Sequence, residues 1–125
     1  MTENEIAKII VNKAFYIHSE LGPGLLESVY EEILNYELAQ AGLFVERQKP
    51  IPVIWKEIKM DVGFRADLIV EKKVLVELKS VEAITPLFPK ITLNYLKLTQ
   101  IKLGLLINFN VPLIKDGIQR IVNNL

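Results

Sequence analysis

Ile6, Ile10, Ala14, Ile17 and Leu21 recur every three or four residues, with Ile9 beside the stripe, which predicts an amphipathic helix over Glu3–Leu21. Gly22-Pro23-Gly24 ends it, since glycine accepts a helix-capping conformation and proline prevents simple continuation. The spacing resumes at Leu26, Val29, Ile33, Leu34 and Leu38, predicting a second helix over residues 25–41 that stops at Gly42.

From Phe44 the pattern turns extended. Residues 44–54 carry Val45, Ile51, Val53 and Ile54, but Pro50 and Pro52 restrict them to an edge or irregular strand. Residues 55–60 read as its continuation beyond a bend. Residues 65–70 and 74–79 are the clearest strands, joined by a hairpin loop at Glu71-Lys72-Lys73. Thr85-Pro86 and Pro89 mark a linker before a helix over residues 90–99. Residues 102–109 are apolar for most of their length and predict a central strand covered on both faces. A loop at 110–117 leads to a short strand at 118–122. The order fits an α/β (α+β) chain with a central mixed sheet flanked by helices. Two N-terminal helices lead into a three-stranded unit, followed by a crossover helix and final strands. The 125 residues suffice for one domain, 1–125, with no repeat or internal boundary.

Acidic side chains inside the two clearest strands break the apolar pattern. Asp67 stands among Ala66, Leu68, Ile69 and Val70, while Glu77 and Lys79 alternate with Val76 and Leu78. A carboxylate in such a setting needs water, a partner or a metal. A three-residue loop pairs Val70 with Val74 and therefore Asp67 with Glu77, on one face with Arg65 and Lys79 further along. A two-residue loop would send the two acids to opposite faces. Two adjacent carboxylates repel unless a proton or cation intervenes. Mg2+ or Mn2+ is the hard cation suited to them, and it leaves positions for water and phosphate oxygens. The same residues could instead form an ion-paired strand surface. Glu27, one turn into the second helix, could be directed toward Asp67 and Glu77, or serve only the helix dipole. Tyr30 could contact substrate, orient Glu27 or simply pack.

Charge narrows the partners. Fifteen basic and fifteen acidic residues balance, which argues against strong non-specific nucleic-acid binding but permits a local patch. Arg47, Lys49, Lys56, Lys59 and Arg65 cluster ahead of Asp67, as a nucleic-acid surface or a solvated charged face. The absence of cysteine excludes disulfides, iron–sulfur clusters and thiolate zinc sites. No run approaches membrane-spanning length and no secretory signal pattern is present, so a cytoplasmic protein without a membrane partner is expected. His18 has no local ligand partner and reads as a helix-surface or capping residue. Trp55 could support a binding surface or fold against the sheet or a partner, and Phe64, Tyr95 and Phe109 need no stacking role. Asn108 is a candidate donor behind the site.

Gly24-Leu25-Leu26-Glu27-Ser28-Val29-Tyr30 carries a G-x-x-E-x-x-Y motif. Together with Arg65-Ala66-Asp67-Leu68, Val76-Glu77-Leu78-Lys79, Asn94-Tyr95-Leu96, residues 103–109 and residues 115–118, it resembles the GxxExxY protein family within the PD-(D/E)XK nuclease-like superfamily. The resemblance implies a restriction-endonuclease-like core and metal-assisted hydrolysis of DNA or RNA phosphodiesters. It implies Asp67 and Glu77 as metal ligands with the Leu78 backbone carbonyl, Lys79 as the catalytic lysine, and Glu27 as a helix acid acting directly or through water. Tyr30, Arg65 and Tyr95 would bind substrate or support the site. The chain departs from related RecB-like sequences where a histidine and a glutamine precede the N-Y-L segment, having Phe88 and Ile91 there. Two polar groups are thus replaced by apolar ones, which weakens the expectation for substrate positioning. A catalytically weak interaction module, a phosphohydrolase of small ligands, and a homodimer or complex with another protein are the alternatives.

Overall fold

A computed structural model describes residues 1–125, Val62 by its backbone alone. Helix α1 (Glu3–Leu21) opens on a reciprocal cap: the Thr2 hydroxyl accepts the Glu5 N–H, and the Glu5 carboxylate accepts the Thr2 N–H. Ile6, Ile10, Ala14 and Ile17 are buried as their spacing requires, whereas Leu21 is exposed. After the turn at Gly22 comes α2 (Glu27–Gln40), two residues later than its apolar pattern suggested. Leu26 is extended and lies outside the helix, so Glu27 is its first residue rather than one turn in.

Strands β1 (Val45–Trp55), β2 (Ile58–Val70) and β3 (Val74–Lys79) form an antiparallel meander. Helix α3 (Leu87–Thr99) then crosses over to β4 (Leu103–Asn108), which lies parallel to β3. A 3-10 turn (Ile114–Gly117) leads to β5 (Ile118–Val122), antiparallel to β4. Among the described residues these make one five-stranded mixed sheet, ordered β1-β2-β3-β4-β5.

Residues 55–60 are a correction to the reading of one strand continued past a bend. Trp55 pairs with Ile58 across a two-residue turn at Lys56 and Glu57, so β2 begins at Ile58 and not at 65. Lys56 supplies the positive φ, 54°, that a tight hairpin turn needs. The pairing slips between Ile51 and Val53, where Gly63 lies against the edge strand. A Cβ on Gly63 would stand 2.4 Å from the Ile51 carbonyl oxygen. Helix α3 also starts earlier than residue 90. Pro89 falls within its first turn, where a missing N–H costs no helical bond.

The sheet carries an apolar layer on each face. Leu68, Val70, Val74, Val76, Leu78, Leu103, Leu105 and Ile107 pack with α1 and α2. Ile69, Leu75, Leu106 and Ile121 pack with Leu96 of α3. Strands β3 and β4 are therefore buried from both sides. Near the two ends of the chain, the Arg120 guanidinium donates to Asn4 Oδ1 at 2.5 Å.

Candidate metal centre where two strands part

The loop at Glu71-Lys72-Lys73 sets the β2–β3 register at Val70 with Val74, Ile69 with Leu75 and Leu68 with Val76. One step further the backbone ladder gives way to a side chain. The Leu78 N–H donates to Asp67 Oδ2 at 2.9 Å, so a carboxylate takes the place of a strand carbonyl. Glu77 sits beside it, 6% exposed, and its Oε1 has no hydrogen-bond partner. Burial first, and then the charge of Asp67, push the Glu77 carboxyl up to about 9. A buried carboxyl oxygen without a donor is costly, and a proton or a cation is what relieves it.

Two helices close on this point. Burial raises the half-buried Glu27 carboxyl, the nearby Lys79 ammonium opposes that shift, and Asp67 and Glu31 reinforce it. The Lys79 ammonium lies 4.7 Å from the centre of the Phe88 ring on α3. Tyr95, also on α3, stacks on Phe64 of β2 with ring centres 3.7 Å apart. Burial, followed by the charges of Glu77 and Asp67, raises its phenol. Glu27, Asp67, Glu77, Lys79 and Tyr95 thus share one region.

Tyr30 has a different place. Its ring is fully buried, stacked on Phe109 at 4.4 Å, and its hydroxyl donates to the Gly22 carbonyl at 2.6 Å. The same oxygen accepts the Leu25 N–H, while the Ser80 hydroxyl donates to the Leu25 carbonyl. Tyr30 therefore clamps the corner that delivers Glu27 to the end of β3; its ring does not face a substrate. Arg65 is exposed and donates to the Gln48 carbonyl at 3.3 Å. His18 is buried rather than on the helix surface, and its Nε2 meets the Val111 carbonyl at 2.8 Å. Asn108 bonds both backbone groups of Val81 and the Asn110 N–H, fixing the chain as it leaves β3.

Residues 31 and 48 were absent from the sequence-based site. Glu31 is 6% exposed and receives the Arg47 guanidinium at 2.7 Å and the Gln48 amide at 2.6 Å. The four-residue spacing from Glu27 put Glu31 on the same side of the helix. Nothing in the composition around Gln48 marked it.

Among the described residues no three His, Cys, Asp or Glu side chains already form a metal-binding group. The donor set nevertheless suits a hard divalent cation, which is commonly held by one or two carboxylates with water completing its shell. Asp67 and Glu77 supply two carboxylates, and the partnerless Glu77 Oε1 is a free oxygen donor.

A central mixed sheet with flanking helices and an acid–acid–lysine arrangement at a strand end defines a restriction-endonuclease-like protein. Residues 4–121 match the family model of the PD-(D/E)XK nuclease superfamily, and the chain belongs to that superfamily. Nucleases of this class generally use divalent metal ions. No curated protein and no solved structure matches the chain.

Proposed function

We propose that this protein is a metal-dependent nuclease that hydrolyses phosphodiester bonds of DNA or RNA. The observation that carries the reading is the buried, partnerless Glu77 oxygen beside Asp67, at the end of a strand that also bears Lys79. Asp67, Glu77 and the Leu78 backbone carbonyl would hold Mg2+ or Mn2+. When bound, the cation would polarise the phosphate and acidify water. The Lys79 ammonium would stabilise the charge that develops on phosphate, as a donor aimed at the transition state. Glu27, raised by burial, would hold water at the helix end. The G-x-x-E-x-x-Y segment supports membership of the GxxExxY family within the superfamily.

A second reading is a nuclease-fold interaction module with weak catalysis. Phe88 favours it, because an apolar ring packs on the Lys79 ammonium where the resemblance to RecB-like sequences implies a polar side chain. Labelled single- and double-stranded DNA and RNA, incubated with Mg2+ or Mn2+, separate the two. The native protein is expected to cut at least one substrate, and Glu77→Ala/Lys79→Ala to cut none. Mn2+ binding by calorimetry without cleavage supports the interaction module. Absence of binding overturns the metal reading.

A further inference from the structure

Gln48 lies inside β1 with φ +51°, a left-handed backbone conformation that non-glycine residues adopt infrequently. Neighbouring residues of a strand normally point to opposite faces. Here both Arg47 and Gln48 reach the same Glu31 carboxylate, one oxygen each, and the reversed φ of Gln48 accounts for that convergence. The Gln48 Nε2 donates to Glu31 Oε1 at 2.6 Å and to Asp67 Oδ1 at 3.2 Å. Between two carboxylates only the NH2 end of an amide can satisfy both, since its two protons match the two acceptors. The backbone carbonyl of Gln48 also accepts a bond, from the Arg65 guanidinium at 3.3 Å.

We infer that Gln48 is a positioning residue that fixes the Asp67 carboxylate for its role at the strand parting, with Glu31 and Arg47 as its anchor. This rests on the reading of Asp67 as part of the metal centre. One Asp67 oxygen is held by the Leu78 N–H and the other by the Gln48 amide, so its plane is set from two sides. Helix α2 thereby bears on the centre twice, through Glu27 and through Glu31. Strain kept at such a point is consistent with a site whose geometry matters more than local backbone comfort. Supporting hydrogen bonds behind metal-ligating carboxylates commonly carry a tenfold or larger share of metal affinity.

The test uses the full chain without metal, followed by titration with Mn2+. Gln48→Gly keeps the left-handed backbone without steric cost and removes the side chain with its amide. Gln48→Glu keeps the length and replaces the donor with an acceptor. In both variants the Leu78 backbone amide, followed by NMR hydrogen exchange, is expected to exchange at least tenfold faster, with the Leu75 and Val76 amides unchanged. Mn2+ affinity should fall about tenfold in parallel. Native protection of Leu78 in either variant overturns the inference. So does equal acceleration at Leu75, Val76 and Leu78, which marks general loosening. Failure of the native protein to bind Mn2+ sinks the nuclease reading separately, because the Leu78 amide still reports whether Gln48 holds Asp67.

Discussion

Glu77 retains its proton well into the alkaline range because burial and the neighbouring Asp67 both oppose its charge. An ordinary glutamate ionises near 4.5, whereas this one is pushed up to about 9. Between those values the unfolded chain gives up a proton that the metal-free folded chain keeps. Stability from this group is therefore fully present below 4.5 and declines as pH rises toward 9. The decline is at most about 1.4 kcal/mol per pH unit and levels off above that window. Glu77→Gln should flatten this slope, leaving a variant at least as stable as the native protein at pH 8 yet unable to bind Mn2+. Thermal melts from pH 5 to 9 with paired calorimetry check both halves. A native-like slope in the variant would assign the pH dependence elsewhere. Asp67, Glu77 and Lys79 were legible because acids and a lysine interrupt strand-like apolar runs. Gln48 was not, since one reversed φ at a glutamine leaves no mark in composition or periodicity. Tyr30 was legible as a packing residue or a support for Glu27, but not its partners, which are backbone groups of a corner.

Element boundaries followed the same division. The β2–β3 register could be read because three loop residues fix which side chains meet, and both flanking strands are strongly apolar. The β1–β2 turn escaped notice because Lys56 and Glu57 hold a place where glycine or asparagine usually signals a hairpin. The beginning of α3 was concealed by Pro86 and Pro89, which read as linker residues although a proline within the first helical turn is compatible with a helix. Gly63 carries the largest steric demand in the β1–β2 hairpin. Gly63→Ala would bring a Cβ against the Ile51 carbonyl and the Val53 side chain, at 2.4 and 2.7 Å. The substitution should cost about 1–3 kcal/mol, the usual range for an overfilled site. Urea unfolding measures it. A cost below about 0.5 kcal/mol would show that the hairpin shifts freely at its slipped register.

At the level of the whole molecule, β4 ties the two apolar layers together. Leu105 meets the layer under α1 and α2, and Leu106 meets the layer under α3, on opposite sides of one strand. Leu105→Ala and Leu106→Ala should each cost about 2–5 kcal/mol. Both should lower one shared unfolding transition followed by circular dichroism and tryptophan fluorescence. Two separated transitions would mean that the layers melt independently. The balanced charge of the chain limited what could be read about its partners, whereas the helix–strand order fixed the architecture. The pairing of β3 with β4 was legible only as a central strand, because parallel partners are joined through a helix rather than a short turn.

The His18 bond to Val111 spans 93 residues of sequence. On a ribosome adding about 5–20 residues per second, that separation is a delay of roughly 5–20 seconds. Throughout it the buried stripe of α1 has emerged ahead of β3 and β4, the strands that will cover it. The newborn chain therefore carries an oily helix before the strands that will cover it exist, an exposed apolar face of the kind chaperones bind.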